Sequence, residues 1–285
     1  MSPHYRPPII GSAALRSGAL TRAALRWNYR PLFPDVYLAK TEPVTLRART
    51  EGAWLWSRRQ GVITGRAAAA WHGAQWVDPL TPIEMIGGRS RGAEGIVVRQ
   101  EQLADDEYGE TAGILTVTAE RTALDLARHL PYEAAVIHLD ALARATGIRA
   151  ADVLRLCDRH PNARGIRTAA SAVGSMDARS ESPGQTWLRL VLRNAGMFPV
   201  TQIPVGDGMF GEYVHVGFNT AKVGANYIAD RPMGVAEYAA ELKRAEFFAR
   251  QGWVVVNAVN RHDVAAVMLG IRLALDARRP RRIIA

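Results

Sequence analysis

The chain has 285 residues, 48% hydrophobic and 22% charged, with 36 Lys+Arg against 27 Asp+Glu and a formal net charge of +9. That is the composition of an ordinary globular protein, long enough for two domains, or for two plus a small module. Its single cysteine, Cys157, excludes a disulfide framework within the chain, and its most apolar runs, such as "WVVVNAV", are too short to span a bilayer.

The start, "MSPHYRPPII", carries no secretory signal pattern, so a cytoplasmic protein with no membrane partner is expected. Nearly all the positive charge is Arg, which suits bidentate phosphate contacts. A basic balance favours an acidic partner, with nucleic acid the first candidate. The alternative source of the charge is a genome rich in Arg and Ala codons. The end of the chain carries Arg278, Arg279, Arg281 and Arg282, either a phosphate contact or a solvated helix end where cations suit the dipole.

Residues 1–45 read as a small module. A short helical pattern precedes Thr21, which can cap a second helix carrying Ala23, Ala24 and Leu25. "RPLFPDVYLA" then reads as a basic turn leading into a strand, with Val36 and Leu38 on one face and Tyr37 on the other. Helix, turn, helix and strand is the outline of a winged helix. Arg22, Arg26 and Arg30 lie on or just after the helix that would enter the major groove. The alternative is a helical cap on the next domain.

Residues 46–175 read as a mixed α/β domain. "TLRARTEGAWLWSRRQG" is a predicted helix, followed by another over Arg66–His72 with Thr64 as N-cap and Gly73 as stop. "PIEMIGG" and "GIVVRQ" are predicted strands, joined by a loop carrying Arg89 and Arg91. "ILTVT" is a further strand running into the helix "AERTALDLARHL", capped by Thr118. There Asp125 is spaced to pair with both Arg121 and Arg128. Two more helices follow, and Cys157 falls on an apolar stripe of the second. His72, beside Trp71, reads as a packed or capping histidine.

Residues 176–285 begin with a clear helix start. Ser182 is the N-cap, Pro183 is N1, and Gln185 at N3 completes a capping box. Trp187, Leu188, Val191 and Leu192 form the buried stripe, Arg189 and Arg193 an exposed face, and Gly196 the stop. "VTQIPVG" leads to a hairpin, "YVHVGFNTAKVGANYIAD", with Val214, Val216 and Phe218 alternating against His215 and Gly217. The helix "VAEYAAELKRAEFFARQG", the strand "WVVVNAV" and a last helix give the order α-β-β-β-α-β-α. The whole chain is therefore α/β (α+β) in class.

Two sets of residues carry a resemblance. "SESPGQTWLRLVLRNAGMFPVTQIPV", the hairpin, and "ELKRAEFFARQGWVVVNAV" resemble a very-short-patch-repair-type endonuclease domain of the PD-(D/E)XK superfamily. "ALTRAALRWNYRPLFPDVYLAK", "GRAAAAWHGAQWVD" and "VTAERTALDLAR" are similar to AbiEi-type antitoxin-like proteins of actinobacteria, which commonly precede that nuclease-like domain. The resemblance implies a winged helix, an antitoxin-like middle domain and a mixed nuclease-fold sheet. In the superfamily, acidic side chains on the hairpin hold Mg²⁺, a hard ion that needs oxygen ligands and that activates water. Here the hairpin positions are His215 and Asn226, the first helix has Gln185 where the family has Glu, and Pro232 stands near an expected His. Glu212 is an odd number of residues from His215, so a regular strand turns it to the other face. Asp230 lies roughly 13 Å beyond Asn226 at ~3.3 Å per residue. Lys243 and Arg244 match basic positions of the family's helix, and Lys222 lies in the hairpin loop.

The expectation is a non-catalytic DNA-binding protein with no cofactor and no metal. Its candidate contacts are Arg22, Arg26, Arg30, Arg89, Arg91, Lys222, Lys243 and Arg244. One alternative is an active endonuclease with a rearranged site, which would require Mg²⁺. Another is a module binding a cognate toxin protein.

Overall fold

A computed structural model of the chain describes residues 5–89, 91–206, 211–229, 231–259 and 264–279. Over these residues the protein is mixed α/β, with eleven α-helices and three β-sheets. It divides into two compact units, Met1–Met176 and Asp177–Ala285. No described helix is long and apolar enough to cross a membrane.

The N-terminal unit opens with β1 (Ile9–Ile10), α1 (Gly11–Arg16) and α2 (Arg22–Asn28). Thr21 caps α2 by accepting from the Ala24 amide at 3.1 Å. The segment after α2, expected to be a turn, is a strand. β2 (Tyr29–Phe33) pairs antiparallel with β3 (Val36–Ala39), and β1 pairs on the other side of β3. Asp35 makes the tight reversal between β2 and β3 with φ 62°, a conformation Asp tolerates better than most residues. Val36 and Leu38 are both buried, as their alternation requires.

The second sheet runs in the order β6-β5-β4-β8-β7. Its strands are β4 (Val62–Thr64), β5 (Ile83–Ile86), β6 (Ile96–Arg99), β7 (Tyr108–Thr111) and β8 (Ile114–Val117). It is mixed: β5 with β6 and β4 with β8 are parallel, the other pairs antiparallel. Its helices are α3 (Leu46–Trp56), α4 (Gly65–Trp71), α5 (Ala119–His129), α6 (Tyr132–Thr146), α7 (Ala150–Arg159) and α8 (Ile166–Val173). Phe33 and Val36 share one core with Trp56, Ile63, Ile83 and Met85. Each fully buried aliphatic side chain there contributes about 1.5–3 kcal/mol. Thr64 precedes α4 as expected but makes no side-chain cap; its hydroxyl donates to Asp125 instead.

The C-terminal unit has the anticipated order: α9 (Pro183–Asn194), β9 (Val200–Val205), β10 (Glu212–Phe218), β11 (Val223–Tyr227), α10 (Val235–Arg250), β12 (Val254–Ala258) and α11 (Val264–Arg278). The sheet order is β12-β11-β10-β9, and only the β11–β12 pair is parallel. Trp187, Leu188 and Leu192 of α9 and Met268 and Ile271 of α11 cover one face with Val216, Val223 and Ala225. Phe248 of α10 covers the other with Ile203, Val205, Val214 and Trp253.

Two expectations are corrected here. Arg189 is not exposed: it is 2% accessible and its Nε donates to Ser180 Oγ. The period-two reading of β10 also fails at one residue. Val214 and Val216 belong to opposite-face clusters, although two residues apart in a regular strand share a face. The strand therefore turns over at His215. Opposite it stands Gln202, flanked by the pairs Val214↔Ile203 and Val216↔Thr201, with its own φ at 53°. Parity therefore does not separate Glu212 from His215 across this irregularity.

Candidate functional site

The two hairpin positions singled out in the sequence, His215 and Asn226, meet at this turnover. Regular β10–β11 pairing stops at Val216↔Ala225. One step further, the His215 amide donates to Asn226 Oδ1 at 2.9 Å, and the Tyr227 amide donates to His215 Nδ1 at 3.0 Å. Two side chains thus satisfy two backbone donors where the strands no longer supply acceptors, as buried amides demand. Because Nδ1 accepts, the ring proton of neutral His215 sits on Nε2. Burial pushes the His215 imidazole down, and the nearby Arg244 charge adds to this against Glu181, bringing it to about 4.

Gln185 joins the same neighbourhood from α9. The Ser182 hydroxyl accepts from the Gln185 amide, as a capping residue should. The return half of the capping box lands one residue earlier than expected: Gln185 Oε1 accepts from the Glu181 amide at 2.8 Å. The same oxygen accepts from Gln202 Nε2 at 3.1 Å, on the strand position facing His215. Gln185 and Asn226 are both buried. The set Gln185, His215 and Asn226 therefore offers no carboxylate, and each member already holds a backbone amide. Such donors do not fit Mg²⁺, which requires near-octahedral oxygen ligands. Asp230, the other acid considered, lies outside the described residues.

Behind Asn226, on the α10 side, lies a cavity of about 170 Å³ with Glu241, Arg244, Phe248, Trp253 and Asn257 on its walls. Arg244 is not a free cation there. Its Nε lies 2.8 Å from Glu212, Nη2 donates to the Tyr213 carbonyl, and Glu241 is 3.6 Å from Nη1. Lys243 is exposed on α10 and does not line that cavity. Lys222, with φ 50°, donates from Nζ to the Gln251 carbonyl. Arg278 donates to the Gly252 carbonyl and Arg279 pairs with Asp276, while Arg281 and Arg282 lie outside the described residues.

The His215 imidazole carries a testable sign. An imidazole near its ordinary 6.5 in the unfolded chain and near 4 when folded binds a proton preferentially in the unfolded state between those values. Its contribution is complete above pH 6.5 and is lost as pH falls towards about 4. The C-terminal unit is expected to lose stability over that window. A His215→Asn variant is expected to show a flatter pH dependence over the same range, measured by urea midpoints at each pH. An equal slope in the two proteins would contradict a neutral, half-buried imidazole.

In the N-terminal unit, Arg22 and Arg26 of α2 are exposed beside Trp27, which is 72% accessible. Neither arginine has an acidic partner among the described residues. Arg30 is turned inward, with Nη2 donating to the carbonyls of Lys40 and Glu42. Arg89 and Arg91 are exposed. Arg89 Nε donates to the Trp56 carbonyl, and its guanidinium lies 4.6 Å from the Trp56 ring centroid.

The densest electrostatic feature of this unit was only half legible. Asp125 does take both Arg121 and Arg128, at 3.0 and 3.3 Å. Two further acids arrive from the loop and short 3₁₀ turn before β7: Glu101, which binds both arginines, and Glu107, 2.6 Å from Arg121. Burial raises the Glu101 carboxyl, but hydrogen bonds from His129 and Arg128 outweigh it and hold it at about 2. Glu101, Asp125 and His129 bring their ligand atoms within 4.8 Å of one another. Arg128 Nη1 already bridges Glu101 and Asp125 there, so a guanidinium supplies the positive charge. No spacing rule links residues 101 and 107 to 121, because a loop places them.

No protein-family model, curated protein or solved structure matches this chain.

Proposed function

We propose that the protein binds DNA without cutting it. It acts as a regulatory, antitoxin-like protein whose C-terminal unit has a nuclease-like fold that has lost its metal site. The observation that carries this reading is the face of α2, where Arg22 and Arg26, one turn apart, stand exposed and without an acidic partner among the described residues. Two short helices followed by the β2–β3 hairpin suit a winged helix, with α2 in the major groove and the hairpin as the wing. The net charge of +9 supports association with a polyanion. The hairpin supports the non-catalytic half of the reading, since His215 and Asn226 spend their side chains on backbone amides.

The test is a polarisation titration of labelled duplex DNA at several salt concentrations. Replacing Arg22 and Arg26 together by Gln is expected to weaken binding. It should also reduce the slope of log K against log salt by about 2, at ~0.9 per lost phosphate contact. An unchanged slope and affinity would remove α2 from the interface.

A second reading, a module for a cognate toxin protein, is favoured by one observation. Val235, Tyr238 and Leu242, spaced along one face of α10, are 89%, 59% and 50% accessible.

A further inference from the structure

A groove of about 590 Å³ in the N-terminal unit is lined by Arg16 at the end of α1, Arg58 just after α3, and Arg89 after β5. Its only acid among the described residues is Asp35, and that carboxylate is already committed: it accepts from both the amide and the hydroxyl of Ser12. None of the three arginines has an acidic partner among the described residues. Three arginines around one concavity, none paired with an acid among the described residues, suit an anion of several charges.

The backbone is built to hold them there. Arg58 and Arg59 lie in succession in the left-handed region, at φ 59° and 63°, where a Cβ is unfavourable and glycine is usual. The strain is fixed in place by hydrogen bonds. The Arg58 and Arg59 amides donate to the Leu55 and Trp54 carbonyls, and the Gly61 amide donates to Ser57 Oγ. The Arg89 loop is brought alongside by a close approach: a Cβ on Gly88 would stand 2.6 Å from the Gly61 nitrogen. Arg89 is then oriented by the Trp56 carbonyl and ring. Side chains kept at strained positions against a more comfortable glycine point to a function for those side chains.

We infer that this groove binds a chain of phosphates. The shared chemistry is a run of closely spaced phosphate groups, supplied either by a nucleic-acid backbone or by a soluble polyphosphate ester. The site uses none of the α2 residues and stands or falls apart from them.

The experiment uses the full chain and inorganic tripolyphosphate as probe, read by thermal shift and by competition with labelled duplex DNA. Tripolyphosphate is expected to raise the melting temperature saturably. The shift should fall by at least half in Arg16→Gln and in Arg58→Gly, and persist in Arg22→Gln/Arg26→Gln. Arg58→Gly also separates function from folding, because glycine relieves the strain. That variant is expected to melt no lower than the parent while binding tripolyphosphate more weakly. Mutual displacement of DNA and tripolyphosphate identifies the source as a nucleic-acid backbone; tripolyphosphate binding that DNA does not disturb identifies a soluble ester. A parent protein with no saturable shift, or an Arg16→Gln/Arg58→Gly protein with the full shift, would overturn the proposal, whatever α2 does with DNA.

Discussion

Replacing Arg121 by alanine is expected to destabilise the N-terminal unit by about 3–5 kcal/mol, the cost of removing one partner from a buried ion-pair network. The side chain is 1% accessible and sits among Glu101, Glu107 and Asp125, at 2.9, 2.6 and 3.0 Å. It also donates to the Gln102 carbonyl. Alanine would leave a void and withdraw the cation that all three carboxylates share, leaving Glu107 and Asp125 buried with less compensation. For a unit of this size the loss corresponds to a fall in melting temperature of about 6–20 °C. Calorimetry on the full chain would resolve it as a shift of one transition. Arg149→Ala is the control: its ion pair with Asp152 lies on the surface at the start of α7, and the same truncation there is expected to leave both transitions in place. Equal effects at the two positions would mean that the Arg121 network is not what ties the β7 segment to α5.

The second large effect is expected from the smallest change, Gly184→Ala. Gly184 occupies the first turn of α9, where the helix crosses Tyr227 at the end of β11. An added Cβ would stand 2.1 Å from the tyrosine ring, far inside van der Waals contact. The ring cannot move aside freely, because it is packed edge-on to Trp187 with centroids 6.0 Å apart. Overpacking of this kind costs about 1–3 kcal/mol, and the site leaves little room at the low end of that range. Displacing Tyr227 would also disturb the amide it donates to His215 Nδ1. The transition of the C-terminal unit is expected to fall while that of the N-terminal unit stays. A Gly184→Ala protein with unchanged melting would show that α9 and β11 are less closely packed than described.

The elements with strong local signals were the legible ones. Thr21, Thr118 and Ser182 each cap the helix they precede, because the cap is a contact within four residues and the sequence contains all of it. The order of the C-terminal unit followed from alternating strand and helix periods for the same reason. β4 and β7 were not anticipated: three and four residues are too few for a period to show, even though β7 pairs with β8 across only two residues. Arg189 looked exposed because its helical position sits beside Arg193, but it is enclosed by the segment preceding α9, around Ser180. The turnover at His215 was hidden because alternation of Val214, Val216 and Phe218 reads the same whether or not a strand rotates. The groove of Arg16, Arg58 and Arg89 is assembled from helix ends and loops distant in sequence, and only Arg89 stands out in the sequence as a basic loop residue.

The role of the hairpin follows from the same geometry. His215 and Asn226 give their side chains to backbone amides and so close a break in the sheet. On the proposed reading, retention of the fold serves binding surfaces, and the strand irregularity remains as its framework.

The most direct measurement is supercoiled plasmid incubated with the protein in Mg²⁺ or Mn²⁺ and run on agarose before and after deproteinisation. The expected result is DNA retarded by bound protein and fully supercoiled once the protein is removed. Nicked or linear plasmid that disappears with His215→Ala would contradict the account, and so would plasmid that is never retarded at low salt.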